Sequence, residues 1–386
     1  MREIYGYVRE NGAVGIRNYV LVIPSVVCSS ETAARIASHF SNVPFVANQY
    51  GCAQIGSDLE QTEKTLVNTG KHPNVAAVLV VGLGCETVQG SRIADKIAES
   101  GKRVEFVNIQ DEGGTLKAEE KGVRLVKDMI EDLNLIKRTK IDFSQIRVGA
   151  ECGGSDATSG IASNPVVGYV MDKIVESKGI AMFSEVPEII GAEHILAKRA
   201  VSKEVSNKIF SVVKKWENLS YSAGVDIRGA QPSPGNMQGG ITTIEEKSLG
   251  AIHKGGTSPI QDVLDYASVP NKPGLYLMDT PGYDIESVVG MVAGGSQVIL
   301  FTTGRGTPTG NPIAPVIKIT ANAETYKKMS DNIDFDASPV MSGKETIEQS
   351  GEKLFDLLAD VINGKLTKAE ELNYREFGIY KTISTF

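Results

Sequence analysis

Val75-Ala-Ala-Val-Leu-Val-Val81, followed at once by Gly82-Leu-Gly-Cys-Glu86, is the stretch that decides the fold. An unbroken apolar run without alternation belongs to a strand buried on both faces of a parallel sheet. The polar, glycine-bearing turn behind it is what such a strand carries at a ligand-binding carboxyl end. Tyr19-Val-Leu-Val-Ile-Pro-Ser-Val-Val27 and Val104-Glu-Phe-Val-Asn108 repeat the theme on either side. The pattern predicts helices over 31–40, 58–70, 87–100 and 114–133. Ser29 or Ser30 can cap the first, and Gly70 sits near the end of the second.

The rhythm continues downstream. Ile146-Arg-Val-Gly-Ala150 runs into Glu151-Cys-Gly-Gly-Ser-Asp156, ahead of a helix over 164–177. Ile180-Ala-Met-Phe-Ser184, Gly274-Leu-Tyr-Leu-Met-Asp279 and Gln297-Val-Ile-Leu-Phe301 read as further strands, with helices over 193–215 and 285–293. Residues 218–260 are rich in Gly, Pro and Ser, interrupted by a helix over 243–253. The fold expected is α/β: Rossmann-like, doubly wound, mostly parallel sheets in two domains. Residues 1–140 form the first and 141–386 the second, with the link near 140–145 and the Gly/Pro-rich insertion at 218–260.

Composition narrows the function. The 386 residues carry a net charge of −7, with 41% hydrophobic and 23% charged side chains. That is ordinary globular usage, with no basic footprint for nucleic acid or an anionic membrane. No apolar run approaches ~18 residues, and the opening MREIYGYVRENGAVG lacks a signal-peptide core. A soluble cytoplasmic protein is expected. Forty residues are glycine, about a tenth of the chain against a usual ~7%. They gather in loops after apolar runs, where glycine lets backbone approach a ligand closely. No GxGxxG follows a strand, and GxxxxGK[ST] and GxSxG are missing, which argues against nicotinamide, ATP and serine-hydrolase chemistry.

The cysteines and histidines mark candidate chemistry. Cys52, Cys85 and Cys152 each occupy a Gly-containing loop after an apolar run, and none belongs to a CxxC pair. A free cysteine is often a small buried hydrophobe. Three in equivalent loops suggest thiolate ligands for iron or zinc, with Glu86, Glu151 and Asp156 beside them as oxygen donors. His39 and His72 read as structural, and His194, which opens a helix, as a capping or surface residue. His253 and Lys254 follow Glu245-Glu246-Lys247, a mixture of titratable groups suited to proton transfer. A solvated helix face explains Glu245 and Lys247 equally well.

Several of these segments together resemble the altronate/galactarate dehydratase family. They include Gly12-Ala-Val-Gly-Ile-Arg-Asn18, Gly51-Cys52, His72-Pro-Asn74, Gly82-Leu-Gly-Cys-Glu86 and Cys152-Gly-Gly-Ser-Asp156. Ser233-Pro-Gly-Asn236, Ile244-Glu-Glu-Lys-Ser-Leu-Gly250, Met278-Asp-Thr-Pro-Gly282 and Phe301-Thr-Thr-Gly-Arg-Gly306 follow in order. The resemblance implies a hydro-lyase acting on a sugar acid such as altronate, helped by iron(II) or another divalent metal. An iron–sulfur cluster is an alternative cofactor. It also implies that the family's small SAF-like domain is absent from this chain and could be a separate subunit. A related layout is the large subunit of (2R)-sulfolactate sulfo-lyase. Many members carry histidine where this chain has Asn48.

On this reading Cys52, Cys85, Cys152 and Glu86 hold the metal. Arg305, Asn236, Ser155, Asp156 and Asp279 bind substrate, and His253, Lys254 and Glu246 move protons. A homo-oligomer is expected, with no nucleic-acid or membrane partner. The rivals are a sulfolactate lyase, a galactarate dehydratase, a sugar-acid-binding subunit inactive without its small partner, and a chain whose cysteines hold structural zinc.

Overall fold

The computed structural model describes residues 2–386, and three sheets organise them. The strands are β1 (Ile4–Val8), β2 (Val14–Gly15), β3 (Tyr19–Pro24), β4 (Val75–Gly82), β5 (Arg103–Asn108) and β6 (Thr139–Ile141). They continue with β7 (Arg147–Gly153), β8 (Ile180–Phe183), β9 (Ile260–Leu264), β10 (Gly274–Met278), β11 (Val298–Thr303), β12 (Val316–Thr320) and β13 (Phe335–Asp336). β3, β4 and β5 make a small parallel sheet with β4 in the middle, and β1 pairs antiparallel with β2 and β6. The large sheet is parallel throughout, in the order β13-β12-β11-β7-β8-β10-β9.

Every residue of β4 is buried, and the cause is a different partner on each face. Leu21, Ile23, Val78 and Val80 share a core with Met278, Ile299 and Phe301 of the large sheet. Val20, Val22, Ala77, Leu79 and Val81, one residue out of phase, pack with Ala33, Ile36, Val126 and Met129 of the helices Val27–Ser38 and Thr115–Leu133. Alternate side chains point to opposite faces, so a strand covered on both must be apolar throughout.

The large sheet winds outward from β7 in both directions. The chain goes first to β8, then to β9 and β10, and then crosses back to β11, β12 and β13. Where the direction reverses, the loops at the strand ends diverge and leave a crevice beyond β7. The expected helices form with ends shifted by a few residues. The exception is 193–215, which splits into Glu193–Ala197 and Lys203–Ser222 because the Ser202 hydroxyl accepts from Val205 N–H (3.2 Å) and caps a new helix. Residues 140–145 do not form a free linker: they contribute to β6 and the turn Phe143–Gln145. The segment 218–260 holds three short helices, among them Ile244–Ala251.

Two family-like motifs turn out to be joints. Asn74 accepts from Ile16 N–H (2.9 Å) and donates to the carbonyls of Gln297 and Ile313 (both 2.9 Å). It ties the base of the small sheet to the large one. His72 is buried beside it, with Nε2 3.0 Å from the Ser296 carbonyl, and burial drives its pKa down to about 3. Arg17 reaches Glu370 with a two-pronged ion pair (2.7 and 2.9 Å) and donates to the carbonyls of Val361 and Lys365. The last residues then cross back over the small sheet: Thr382 and Ile383 donate to Asp58, and Phe386 N–H donates to the Ala53 carbonyl.

Replacing Asn74 by Ala leaves three buried backbone groups without a partner. Each such group costs about 1–3 kcal/mol, so chemical denaturation should show a loss of at least about 2 kcal/mol. An unchanged midpoint would remove Asn74 from this role.

Candidate active site

The crevice beyond β7 holds a cluster of buried charges. Glu151 lies near the end of β7. Glu185 and Glu188 follow β8, and Asp284 opens the helix Asp284–Ala293 that follows β10. One carboxyl oxygen each from Glu151, Glu185 and Asp284 fall within 4.8 Å of one another. Lys254, fully buried, pairs with Glu185, and Lys247 pairs with Glu188 at 2.7 Å. The turn Ile252–Gly255 carries Lys254. It can enter because Gly168 on the helix Asn164–Glu176 has no Cβ, which would come 2.2 Å from the His253 carbonyl.

Local bonds hold these side chains in place. Glu185 has φ 70°, a left-handed conformation unusual for a side chain of its size. Its N–H donates to Thr280 Oγ1 and its Oε2 accepts from Cys152 N–H, both at 2.9 Å. Glu151 Oε2 accepts from Ser287 Oγ (2.8 Å) and Ser184 Oγ (3.2 Å). Gly153 makes room for Asp284, since a Cβ there would come 2.7 Å from Oδ2.

Charge is out of balance here. Four carboxyls face two ammonium groups, an excess of two negative charges if all ionise. Burial, then repulsion from Glu185, raises the Glu151 carboxyl far above its ordinary range. Burial and Glu188 push Glu185 up to about 8, and the same two causes push Asp284 up to about 6. Burial opposes the Lys254 charge, but Glu185 and its neighbours outweigh it, so Lys254 stays an ammonium. Glu151 Oε1, Glu185 Oε1 and Glu188 Oε2 are buried without a hydrogen-bond partner among the described residues. Such orphans are costly unless something fills the space between them.

A cavity of about 270 Å³ adjoins the cluster; Ser155, Asp156, Asn164, Glu246, Lys247 and His253 are the polar residues set among its more apolar walls, which include Ile161, Ile241 and Leu249. Lys247 belongs to both cavity and cluster. Asn164 donates to Cys152 Sγ (3.5 Å), and Cys152 Sγ lies 3.1 Å from Ser155 Oγ.

The residues singled out in the sequence separate into groups. Ser155, Asp156, Asn236 and Arg305 come together: Asn236 donates to the Ser155 carbonyl (2.9 Å), and Arg305 N–H donates to the Gly154 carbonyl (3.0 Å). The Asp156 carboxylate is occupied by Thr158 and Asn322. His253 lines the cavity, and burial followed by Arg199 lowers its pKa, so its imidazole is neutral near pH 7. Lys254 is in the cluster, but as a permanent cation and not a base. Glu246 accepts from Thr242 N–H and Oγ1 at the start of its helix. Asp279 does not join: it is held by Lys215 (2.6 Å) and Trp216 Nε1 (2.7 Å).

The expected metal ligands do not gather either. Cys152 is buried in the large sheet, where burial raises its thiol pKa, while Cys52 and Cys85 are exposed on loops of the small sheet. The Glu86 oxygens are taken by Ser25 Oγ (2.8 Å) and Gly84 N–H (2.6 Å). Asn48 is buried and donates to the carbonyls of Ser25 and Pro24, closing its loop. Glu185, Glu188 and Asp284 were missed. The signal was present: Ile180-Ala-Met-Phe183 is an apolar strand followed at once by Ser-Glu-Val-Pro-Glu188.

This architecture has relatives. Residues 143–385 match the family model described as D-galactarate/Altronate dehydratase, C-terminal. Residues 6–134 match D-galactarate dehydratase/Altronate hydrolase, second domain. The chain belongs to the D-galactarate/altronate dehydratase family. It is 36% identical to altronate dehydratase of Bacillus subtilis (strain 168), over 99% of this chain and 78% of that protein. It is 37% identical to the (2R)-sulfolactate sulfo-lyase subunit beta of Chromohalobacter salexigens, over 97% of this chain and 96% of that one. Galactarate dehydratase (L-threo-forming) of Escherichia coli (strain K12) is 37% identical over 84% of this chain and 62% of its own length. In this family member, then, the acidic crevice sits at the strand ends of the part matched by the C-terminal model.

Changing Lys254 to Met leaves Glu185 buried beside other carboxyls without its own ion-pair partner. Breaking a buried pair in this way costs about 3–5 kcal/mol. The loss, read by urea denaturation, should shrink as pH falls and a proton replaces the ammonium. A loss that does not vary with pH would argue against the charge imbalance.

Proposed function

We propose that the chain is the catalytic subunit of a hydro-lyase that removes water from a sugar acid, altronate or a close relative, to give a 2-keto-3-deoxy acid. The observation that carries this reading is the 36% identity to an altronate dehydratase along 99% of the chain, joined to a charged crevice at parallel strand ends. The Rossmann-like description and the division at residue 140 belong to the same reading; the family models, meeting between 134 and 143, support that division.

Elimination starts with loss of the proton next to the carboxylate, and the enediolate that forms needs positive charge. Lys247 supplies it at the cavity wall, its ammonium held above its ordinary pKa because Glu188 outweighs the effect of burial. Arg305 takes the substrate carboxylate, and Ser155 and Asn164 orient hydroxyls. Neutral His253 takes the proton from carbon. The imidazolium then donates to the departing hydroxyl, which leaves as water. The triad Glu151, Glu185 and Asp284 fits a divalent cation: three oxygen donors, orphaned lone pairs and two uncompensated negative charges. When bound, such a cation supplies Lewis-acid polarisation of a substrate oxygen. Iron(II), manganese or magnesium suits an all-oxygen set. A separate small subunit, a homo-oligomeric assembly and a cytoplasmic setting complete the proposal.

A second reading is a sulfolactate lyase, favoured by the near end-to-end match with the sulfo-lyase beta subunit. Incubation with altronate, galactarate and (2R)-sulfolactate, each with divalent metal, separates them: 2-keto acid from the sugar acids supports the first, sulfite the second. Failure of both products, with a candidate small subunit also supplied, overturns the enzyme reading. His253→Gln should lower kcat by about 10²–10⁴-fold without moving the melting temperature, since the His253 imidazole makes no hydrogen bond or ion pair among the described residues.

The cluster also predicts a pH signature. Glu185 and Asp284 have raised pKa values of about 8 and about 6. Their stabilisation is complete below the unfolded values and is lost as pH rises through the folded ones. The metal-free protein should therefore melt lower as pH climbs from about 4 to 8. Added Mn²⁺ should raise the melting temperature, and more so at the alkaline end, because it binds the ionised cluster. Equal metal shifts at both ends would argue against cation binding at the triad.

A further inference from the structure

Three of the four cysteines face solvent: Cys28, Cys52 and Cys85. All three stand at the carboxyl end of the small sheet, on loops stitched to one another. Cys28 follows β3 and lies in the first turn of the helix Val27–Ser38. Val27 N–H, beside it, donates to the Tyr50 carbonyl at 2.9 Å. Gly51, with φ 106°, presses onto the start of that helix; a Cβ there would meet the Ser25 carbonyl at 2.1 Å and Val26 Cα at 2.8 Å. Gly51 in turn accepts from Val88 N–H (2.9 Å), three residues after Cys85. Cys52 is thus lodged between the loops that bear Cys28 and Cys85.

The donors at this end are sulfur. Glu86, the neighbouring carboxylate, is occupied by Ser25 and Gly84. Among the described residues, the only ligating atoms gathered three together within 4.8 Å are those of Glu151, Glu185 and Asp284. A single ion held by three thiolates at about 2.3 Å each would draw them closer than this limit. A multi-iron cluster accepts thiolates set farther apart, each bound to a different iron. The positive end of the helix Val27–Ser38 favours the negative charge such a group carries.

We propose that Cys28, Cys52 and Cys85 carry an iron–sulfur cluster with one iron left without a protein ligand. The loop that ends in Cys52 also forms a wall of a cavity of about 360 Å³, through Gln49 and Tyr50. Tyr283, Glu286 and Arg375 lie across it. Arg375 makes no hydrogen bond or ion pair among the described residues and is half-buried, a fitting anchor for a carboxylate. The open iron would face an oxygen-bearing anion held there. This site is separate from the acidic triad and goes beyond the reaction proposed above.

The test is the metal content of the full chain, purified without oxygen and reconstituted with ferrous iron and sulfide. The expected result is about four irons and four labile sulfides per chain, with broad visible absorption. Cys28→Ser, Cys52→Ser and Cys85→Ser should each lose that absorption while keeping the wild-type far-ultraviolet dichroism; Cys152→Ala should keep it. Iron without labile sulfide, wild-type iron in Cys28→Ser, or a colourless protein after reconstitution would overturn the proposal. A colourless chain that still dehydrates a sugar acid would overturn this inference and leave the proposed function standing.

Discussion

Uncompensated negative charge in the crevice beyond β7 is the constraint around which the large sheet is arranged. Carboxylates are rarely buried without partners. Here four meet where only two ammonium groups can reach them. The strained backbone at Glu185, the missing side chain at Gly153 and the hydroxyls of Ser184, Thr280 and Ser287 all serve to keep them there. A fold that needed stability alone would replace such a cluster by apolar residues of similar volume. Its persistence points to chemistry, in which protons or a cation come and go.

The sheet topology explains why the charges converge. β7 is the axis from which the winding departs in both directions, so loops distant in sequence leave the sheet side by side. The small sheet applies the same principle independently, and its strand ends collect the exposed thiols. The two groups of strand ends meet across one cavity, where Gln49 and Tyr50 face Tyr283 and Glu286.

Much of this was legible in the residues. The apolar runs of β3, β4 and β7 required parallel strands with both faces covered, and the loops behind them were correctly read as polar strand ends. His253 and Lys254 were picked out as titratable neighbours, yet one lines a cavity and the other is sealed beneath it. Periodicity cannot separate them, because a single turn of 3-10 helix points adjacent side chains in different directions. The thiols misled for a similar reason. Equivalent positions in two sheets look alike along the chain, although Cys152 belongs to the large sheet and Cys52 and Cys85 to the small one. Glu185 escaped because its strand, Ile180–Phe183, is short and carries no glycine to mark its end. The edge strands β9 and β13, and β12 beside the latter, were likewise passed over, being brief and flanked by helices or turns.

The return of the final residues over the small sheet has a practical side. Phe386 is bonded to Ala53, next to Cys52, and Thr382 and Ile383 fasten the same stretch to the head of the helix Gly56–Lys71. An affinity tag appended after Phe386 would therefore hang directly over the thiol loops and tug on their anchor, so recombinant work on this enzyme is better served by a fusion at the opposite terminus.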